Sequence, residues 1–363
     1  MATTFFSSTV TLPDSFQAYQ LQGYLPSEAF FHPSSRQLET KPRSISVSQH
    51  PASPPKARRC SVSHSSLAYF QPEPRRSTTI GLPYLTELYM SPHPDDICYS
   101  CYGKVHKGER SPRGNASSSR LIVTVFSQSR CCNGHLAEEL KQNVDDITKI
   151  RKDEDEAFAS SVGCRLIQLG LSDSSARDEF SRREELAIES KADQAKAVKM
   201  HPTYAKVQSA LTDILRWAVK CKATIYMPLG IGCHIDHLMT RVATESILED
   251  IRRESTMSRL PVQVNYFEDL PYATYQSQET IEKMTATVIG EKGIEQLVAL
   301  DQLAWSQKTR AVQGYATQLK PTIIPSLESR ALHLADQAGI EQEGTQLRER
   351  VWTLAPGEWI GGF

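Results

Sequence analysis

The sequence predicts an α/β protein with a Rossmann-like, mostly parallel sheet, helices on both faces of that sheet, and a largely disordered N-terminal tail. From residue 83 onward, short apolar runs rich in β-branched and aromatic residues alternate with segments of helical length and pattern. Two of the apolar runs are followed directly by histidines and aspartates. In open α/β sheets, ligands bind beyond the carboxyl ends of the strands, so this placement fits the same fold.

The first 80 residues differ in composition from the rest of the chain. They contain 15 serines and 9 of the 20 prolines, with few large apolar side chains. A stretch of this kind buries too little apolar surface to offset the entropy lost on ordering. We therefore expect residues 1–80 to be a mostly disordered extension and residues 81–363 to form one folded domain.

The order of predicted elements supports a parallel sheet. Apolar runs predict strands at residues 85–90, 121–126, 166–169, 224–227 and 262–267. Helical patterns cover residues 96–108, 145–162, 204–222, 237–253 and 308–319. Asp145 and Asp146 suit a helix N-terminus, and Gly163 suits the end of the same helix. Strands that alternate with helices of this length indicate crossover connections between parallel strands.

Composition excludes several classes of function. The chain is nearly neutral, with a formal net charge of −1, and so lacks the overall basic character of nucleic-acid-binding proteins; we expect no nucleic-acid partner. The longest apolar runs fall well short of the roughly 18 residues that a membrane span needs. Residues 1–30 contain no Arg or Lys, which argues against organellar targeting and favours a cytoplasmic location. The oligomeric state is open.

Eight cysteines in 363 residues do not indicate a disulfide scaffold. Cys98 and Cys101 have the CxxC spacing, but no second CxxC stands at the distance of a zinc finger. We expect both side chains to pack in the interior rather than bind metal. The polar, charged segment 171–203 is expected to be a long loop, which makes it either a functional lid or disordered.

The first polar cluster is Ser-Pro-His-Pro-Asp-Asp at residues 91–96. A short turn after a strand cannot direct both Asp95 and Asp96 to one point, so one can bind a metal while the other faces water and substrate. His93 adds an imidazole, and imidazole with carboxylate is the ligand set of catalytic zinc. A carboxylate outside the coordination shell is the base that a metal-bound water needs. Taken alone, the run is equally compatible with a turn closed by an Asx cap.

The second cluster is Gly-Ile-Gly-Cys-His-Ile-Asp-His at residues 230–237, after the apolar run 224–228. It offers a third protein ligand and a second histidine oriented by the neighbouring Asp236, as partners of metal ligands commonly are. His234 and His237 could equally be solvated imidazoles at a helix N-terminus. Because both clusters follow strands of one α/β body, we favour a site with three protein ligands and an open position, the catalytic pattern for zinc.

The two motifs together resemble those of the LmbE/PIG-L family of zinc-dependent N-acetylglucosaminyl deacetylases and related amidases. The resemblance covers most of residues 85–320 and implies that residues 81–363 form a deacetylase domain. Arg151-Lys-Asp-Glu154 is similar to the family's Arg-x-x-Glu helix. Residues 266–272, and Lys308 with residues 315–318, are similar to blocks of its natural-product and sugar-modifying branch.

The resemblance also implies roles for single residues. His93, Asp96 and His237 would bind Zn²⁺, with Fe²⁺ as the second candidate metal, and Asp95 would be the general base. His234, held by Asp236, would stabilise the oxyanion or protonate the leaving amine. Arg151 would contact sugar hydroxyls. On the residues alone, Arg151 could instead lie on a solvated helix face and pair with Glu154 and Asp155.

Two departures from the family pattern bear on function. Gly232 stands where some members carry a tyrosine near the oxyanion. The stabilisation that this tyrosine gives the oxyanion therefore has to come from another residue or is absent. Members of the GPI pathway have an N-terminal transmembrane helix, which this sequence does not show, so the GPI step is not expected.

The leading hypothesis is a zinc amidohydrolase that removes an acetyl group from an N-acetylated sugar or sugar-containing metabolite. A second enzyme hypothesis is an amidase that cleaves a larger thiol–sugar conjugate with the same metal site and a different pocket. A hypothesis from another class is a non-catalytic, metal-binding interaction protein. The complete set of His93, Asp95, Asp96 and His237 argues against the last, because a decayed site is expected to lose a member.

Overall fold

The structure is a computed structural model. It describes residues 84–107, 119–133, 135–140, 143–177, 190–255, 260–290, 293–339 and 347–354. The predicted tail, residues 1–80, lies outside the described residues, as do positions 178–189 of the segment predicted as a long loop.

Within the described ranges, seven strands form one sheet in the order β3-β2-β1-β4-β5-β7-β6. The strands are β1 (Glu87–Ser91), β2 (Arg120–Thr124), β3 (Arg165–Gln168), β4 (Thr224–Pro228), β5 (Val264–Phe267), β6 (Gly293–Leu300) and β7 (Leu347–Leu354). Strands β1 to β5 pair in parallel, whereas β7 is antiparallel to both β5 and β6. The mostly parallel α/β sheet predicted from the sequence is therefore confirmed.

The helices described in the structure connect these strands. They are α1 (Asp96–Ser100), α2 (Tyr102–Lys107), α3 (His135–Leu140), α4 (Val144–Ser161), α5 (Lys191–Lys199), α6 (Tyr204–Cys221), α7 (Ile235–Glu254), α8 (Gln278–Ile289), α9 (Gln302–Gln313) and α10 (Ile323–Gln337). A short 3₁₀ turn follows β5 at Tyr272–Tyr275. No helix in these described segments is both long enough and apolar enough to cross a membrane.

Several predicted boundaries were wrong. The helix predicted over residues 96–108 is divided at Cys101 into α1 and α2, and the described part ends at Lys107. The helix predicted over 308–319 is α9, which begins six residues earlier because the Asp301 side chain accepts the N–H of Ala304 as an N-cap. The segment predicted as one loop over 171–203 contains α5, which begins after the capping residue Ser190.

The strand β7 was not predicted, because the run Leu-Arg-Glu-Arg that opens it looks like a solvated segment. In the structure two of its charged side chains, Glu349 and Arg350, are buried and paired. The Glu268 carboxylate accepts hydrogen bonds from Arg350 at 2.7 Å and from Arg330 at 2.5 Å. Charged residues are buried only when they are paired in this way, and the pairing comes from chain segments distant in sequence.

The direction of the sheet reverses at β1 and β4. The chain adds β2 and β3 on one side of β1 and then returns to add β4 and β5 on the other side. Because crossovers of this kind are right-handed, such a reversal places the connecting helices on opposite faces of the sheet. It also opens a crevice beyond the carboxyl ends of β1 and β4, which is the usual ligand site of doubly wound folds. Both predicted polar clusters follow these two strands.

The core beneath this crevice is apolar and includes both cysteines of the CxxC run. Cys98 and Cys101 are fully buried among the large side chains of the sheet and are free thiols. Burial raises the pKa of each thiol well above its usual value, which leaves them protonated and unreactive. The prediction that they pack in the interior is confirmed.

Candidate metal and catalytic site

The structure brings the two predicted clusters together at the crevice. The turn 92–95 follows β1, and α1 begins at Asp96. The second cluster follows β4, with His234 as the N-cap of α7. The ring centroids of His93, His234 and His237 lie 5.0 to 5.4 Å apart. Each of the three imidazoles offers one ring nitrogen within 4.8 Å of the others, so they form a candidate metal site.

His93 is held between two carboxylates. Its Nε2 lies 3.0 Å from Oδ2 of Asp236, and its Nδ1 lies 3.3 Å from Oδ2 of Asp96. The backbone N–H of His93 also donates to that Asp96 oxygen at 2.7 Å. The ring therefore turns Nε2 toward Asp236 and Nδ1 toward Asp96.

His237 is oriented by a carboxylate that the sequence analysis did not assign. Its Nδ1 lies 2.6 Å from Oδ1 of Asp269, whose other oxygen accepts the backbone N–H groups of Gly230 and Ile231 at 2.8 and 3.0 Å. This pairing leaves Nε2 as the nitrogen with a free lone pair. Nε2 is buried, has no hydrogen-bond partner among the residues that the structure describes, and lies 3.4 Å from Oδ2 of Asp96.

These atoms fit a bound cation. An unpartnered, fully buried ring nitrogen is costly unless it serves a ligand or ion. In tetrahedral zinc sites with metal–ligand distances near 2.0–2.1 Å, neighbouring ligand atoms lie about 3.3 Å apart. Oδ2 of Asp96 lies at 3.3 and 3.4 Å from the nitrogens of His93 and His237. The two distances from Asp96 are therefore compatible with a zinc ion bound between these side chains.

The electrostatics of the cluster also favour positive charge. Burial by itself lowers the pKa of His93 and His237, but the carboxylates around them more than reverse this effect. Asp236 and Asp96 raise the pKa of His93, and Asp96 and Asp269 raise that of His237. Burial raises the pKa of Asp96, and the two histidines lower it below its usual value. Surroundings that stabilise imidazolium stabilise a metal cation for the same reason.

His234 differs from the other two histidines. Its Nδ1 accepts the backbone N–H of Asp236 at 3.3 Å, which is the N-cap bond of α7. The neutral ring must then carry its proton on Nε2, which lies 3.3 Å from Oγ of Ser174. Burial lowers the pKa of His234 to about 3, an effect that the neighbouring Asp236 opposes. The ring is therefore neutral at physiological pH, with an N–H to donate.

The Asp236 carboxylate contacts His93 more closely than His234. Its Oδ2 lies 4.0 Å from Nδ1 of His234, compared with 3.0 Å from Nε2 of His93. It also accepts the N–H of Ser174 at 2.8 Å and pairs with Arg177. The backbone of Asp236, rather than its side chain, provides the hydrogen bond to His234.

Asp95 lies at the edge of the cluster. It is the N-cap residue of α1, but its side chain makes no capping hydrogen bond, so the Asx-cap alternative does not describe this carboxylate. Its side chain is 13% exposed, whereas those of Asp96 and Asp236 are 5% and 0% exposed. Asp95 is thus the most accessible of the three predicted carboxylates. Burial raises its pKa, and Arg151 opposes the rise.

Arg151 projects from α4 into this region and is almost fully buried. One terminal nitrogen lies 3.1 Å from Oδ1 of Asp95, and the other donates to Oγ of Ser129 at 3.0 Å. Glu154 instead accepts from Thr317, and Asp155 from Thr124 and Gln168. The alternative in which Arg151 pairs along a solvated helix face is therefore wrong.

Sequence reasoning missed four residues of the site. Asp269 is the second residue after β5, and the other carboxylates also lie shortly after strand ends, so strand-end placement could have found it. Ser174 and Arg177 lie in the segment treated as an unreadable loop. Tyr272, in the 3₁₀ turn after Pro271, places its ring centroid 5.1 Å from that of His237 and 5.6 Å from that of His234.

Tyr272 packs against position 232, where glycine leaves room for it. Gly232 has a φ of +83°, and a Cβ there would lie 2.9 Å from Cβ of Tyr272. Any larger residue would both strain the backbone and displace the tyrosine. The aromatic ring beside His234 and His237 therefore comes from the turn after β5 instead of from position 232.

A separate cavity of about 560 Å³ opens beside the same 3₁₀ turn. It is lined by Ala273, Thr274, Gln276, Pro321, Thr322, Pro325, Ser326, Ser329, Arg330 and His333. None of the predicted site residues is among these.

A doubly wound sheet with buried histidines and carboxylates at its switch point, and with a more accessible carboxylate beside them, is the arrangement of a metal-dependent hydrolase. The comparison with protein families agrees. The model of the family described as "PIG-L: GlcNAc-PI de-N-acetylase" matches residues 88–248, which include both motifs. Over these residues the chain matches the PIG-L family of deacetylases, which are metal-dependent amidohydrolases that remove acetyl groups from acetamido sugars or glycosylated metabolites.

A characterised relative is the 2'-N-acetylparomamine deacetylase of Streptomyces fradiae. It is 26% identical over 281 residues, which cover 74% of this chain and 90% of the relative. Among solved structures, the A40926 pseudoaglycone deacetylase has a TM-score of 0.50 at 21% identity and covers 76% of this chain and 99% of its own. A deacetylase of the teicoplanin biosynthesis pathway has a TM-score of 0.50 at 20% identity, with 75% and 99% coverage. At this level of identity the two structures establish the fold.

Proposed function

We propose that this protein catalyses zinc-dependent hydrolysis of the acetamide on an N-acetylated sugar or sugar-containing metabolite, releasing acetate and a free amine. The observation that supports this best is the position of Asp96 Oδ2, at 3.3 and 3.4 Å from ring nitrogens of His93 and His237. Asp95 and His234, the groups proposed to act on the substrate, are the most accessible members of the surrounding cluster.

His93, Asp96 and His237 would hold the metal, with Asp236 and Asp269 orienting the two imidazoles. When bound, zinc supplies a Lewis acid for the acetamide carbonyl and lowers the pKa of its water toward ~7. Fe²⁺ is the second candidate, because imidazole and carboxylate ligands suit it as well.

Asp95 is the proposed general base. It would accept a proton from the water that attacks the acetamide carbon. Its carboxylate is held at Oδ1 by Arg151, which fixes its direction. Once protonated, Asp95 can deliver that proton to the nitrogen of the leaving amine as the carbon–nitrogen bond breaks, which balances the reaction. Desolvation already favours the protonated form of this carboxyl group, which assists the first transfer.

His234 is proposed to stabilise the oxyanion. The backbone bond to its Nδ1 places the proton on Nε2, and the low pKa means that the ring is a hydrogen-bond donor but not a cationic acid. A preorganised N–H of this kind is worth most where negative charge develops on the carbonyl oxygen. Of the two roles considered for His234, this geometry favours oxyanion stabilisation over protonation of the amine.

Arg151 is proposed to contribute to substrate binding. Its guanidinium lies beside Asp95, so a sugar hydroxyl bound to it would bring the adjacent acetamide to the base. The relative that acts on 2'-N-acetylparomamine supports an amino-sugar substrate. We therefore expect the substrate to be an acetamido sugar that forms part of an aminoglycoside-like metabolite.

The test is acetate release from a panel of acetamido sugars by zinc-loaded protein. The panel should contain N-acetylglucosamine, 2'-N-acetylparomamine and an N-acylated thiol–sugar conjugate. We expect one zinc per chain, activity abolished by a chelator and restored by zinc, and loss of zinc in His237→Ala. His333→Ala, in the separate cavity, is the matched control and should keep both metal and activity.

Two results would contradict the proposal. Protein without stoichiometric zinc, or acetate release unaffected by chelator, would exclude the metal-dependent mechanism. Release of a larger carboxylic acid from the conjugate, without acetate release from any acetamido sugar, would identify an amidase with a different pocket.

A further inference from the structure

Asp236 is a fully buried carboxylate with three separate donors. Besides Nε2 of His93, its Oδ2 accepts the backbone N–H of Ser174, and its Oδ1 pairs with a terminal nitrogen of Arg177. The side chain of Asp236 has no solvent exposure, and that of Arg177 is 8% exposed. A buried carboxylate without a compensating cation is strongly unfavourable, and Arg177 is a cation in direct contact with it.

The segment that carries Arg177 is held to the sheet before it reaches Asp236. Ser172, shortly after β3, forms an isolated β-bridge with Gln128. The N–H of the next residue, Asp173, donates to the carbonyl of Gln128 at 2.8 Å. The Asp173 side chain accepts the N–H groups of Ser175 and Ala176, both at 2.9 Å. These bonds form a closed turn that places Ser174 and Arg177 over the site.

Arg177 is itself fixed from two further directions. Its other terminal nitrogen donates to the carbonyl of Ser172 at 2.6 Å, and its guanidinium lies 5.1 Å from the ring centroid of Phe126. A planar guanidinium whose two terminal nitrogens are both bonded in this way has little freedom left, so it presents one nitrogen to Asp236 in a fixed direction. Asp236 is held at Oδ1, and its Oδ2 is directed at His93.

From these contacts we infer that Arg177 is a positioning residue of the metal site, which acts through Asp236 to hold the His93 imidazole with Nε2–H donated to the carboxylate and Nδ1 facing Asp96. The inference rests on the proposed metal ligands. The tautomer of a metal-binding histidine is set by the hydrogen bond at its other nitrogen. If Asp236 is free to rotate, His93 loses the partner that directs Nδ1 to the metal.

The first test measures the zinc dissociation constant by competition with a chromogenic chelator, without reference to activity. Replacing Arg177 by Gln should weaken zinc binding about 10- to 100-fold, the range seen when outer partners of metal ligands are removed. Arg177→Met is measured in parallel, because its unbranched side chain keeps the packing on Phe126 if glutamine prevents folding. Arg177→Lys retains a cationic donor and should restore most of the affinity.

Arg120→Gln is the matched control for a merely structural arginine. Arg120 is buried, and its guanidinium donates to the carbonyls of Val105 and Val162, far from the histidines along the strand. Its replacement should lower the unfolding temperature of the metal-free protein and leave the zinc dissociation constant unchanged. An unchanged dissociation constant in Arg177→Gln or Arg177→Met, as in this control, would overturn the inference.

A double-mutant cycle tests the route through Asp236. If Arg177 acts by holding that carboxylate, Arg177→Gln should add less than about twofold to the loss of zinc affinity already caused by Asp236→Asn. Fully additive losses would show that Arg177 acts by another route and would also overturn the inference. Zinc binding by the parent protein distinguishes failure of the proposed function from failure of this inference. If the parent binds no zinc, the proposed function fails. If it binds zinc with an affinity that does not depend on Arg177, only this inference is refuted.

Discussion

At the scale of single residues, the three histidines of the site differ because their ring nitrogens have different partners. His93 presents one nitrogen to Asp236 and the other to Asp96, and His237 presents one to Asp269 and the other to Asp96, which fits the metal-binding role proposed for both. His234 accepts a backbone N–H and is left with a proton to donate. Identical side chains thus receive different roles from single hydrogen bonds.

The proposed roles of single residues give a prediction for Asp95. Asp95→Asn should retain stoichiometric zinc, because His93, Asp96 and His237 are unchanged, and should lower the rate of acetate release by about 10²–10⁴-fold, the usual contribution of a general base. Zinc content and acetate release are measured on the same preparation. Asp153→Asn, an exposed residue of α4, is the matched control. Deacetylation at the parental rate in Asp95→Asn would show that the base is another group.

At the scale of elements, buried charges connect the C-terminal part of the fold to the helix that begins in the site. Lys308 of α9 donates to the carbonyl of Tyr99 in α1 at 2.6 Å and pairs with Glu349 of β7 at 2.7 Å. Tyr315, just after α9, donates to the carbonyl of Pro94 at 2.8 Å. The motif turn 92–95 is thereby supported by residues more than 200 positions away.

Removing one partner of the Lys308–Glu349 pair should therefore be costly. Lys308→Met leaves the Glu349 carboxylate buried without its cation, and we expect a loss of about 3–5 kcal/mol in the free energy of unfolding, measured with urea. Arg216→Met is the matched control, since the Arg216–Glu254 pair is about half exposed and should contribute at most about 1 kcal/mol. Equal losses in the two variants would contradict the prediction. In the double variant Lys308→Met/Glu349→Gln, part of the stability should return.

The packing of α4 on the sheet gives a pH dependence of stability. Asp155 of α4 accepts from Thr124 of β2 and Gln168 of β3, and burial, the dominant cause, raises its pKa to about 7 from 3.8. The folded protein then binds more protons than the unfolded chain between these values. The contribution of Asp155 is therefore present below about pH 4 and is lost as pH rises to about 7, at up to about 1.4 kcal/mol per pH unit.

Asp155→Asn removes this titration. The free energy of unfolding of the variant, measured between pH 4 and pH 8, should decline less with pH than that of the parent. At pH 8 the variant should therefore retain a larger share of its own pH 4 free energy of unfolding than the parent retains of its own. Asp213→Asn, at an exposed position of α6, serves as the control and should follow the parent curve. Identical slopes for Asp155→Asn and the parent would show that Asp155 is ionised in the folded state at all these pH values.

At the scale of the whole molecule, strand order decides where the chemistry lies. β1 and β4 are separated by about 130 residues and are neighbours in the sheet, so the turns that follow them meet. The 171–177 segment after β3 and the 269–272 segment after β5 complete the site from either side. Each of these segments follows a parallel strand at its carboxyl end.

The predicted division of the chain gives a further test. Residues 1–80 are proposed to lie outside the folded domain, and the described sheet begins at Glu87. Deleting residues 1–75 should leave the unfolding temperature within about 2 °C of the parent and the zinc content unchanged, as measured by thermal denaturation and metal analysis. Loss of soluble, zinc-binding protein on this truncation would show that the tail forms part of the fold.

The sequence by itself determined the local features of this protein. Alternating apolar and helical patterns predicted the five parallel strands, and the two motifs supplied the imidazoles and carboxylates, because secondary structure and ligand chemistry depend on neighbouring residues. It did not reveal the antiparallel strands β6 and β7. In β7, the buried charges of Glu349 and Arg350 look like those of a solvated segment until their distant partners are known.

Only the tertiary structure decided which atoms face each other. It assigned Asp236 to His93, added Asp269 behind His237, and placed Arg177 behind Asp236. These pairings join residues about 30 to 140 positions apart, and the sequence pattern carries no signal for contacts at that separation. The roles of the histidines depend on such contacts, because the position of an imidazole proton is set by its hydrogen-bond partner and by burial.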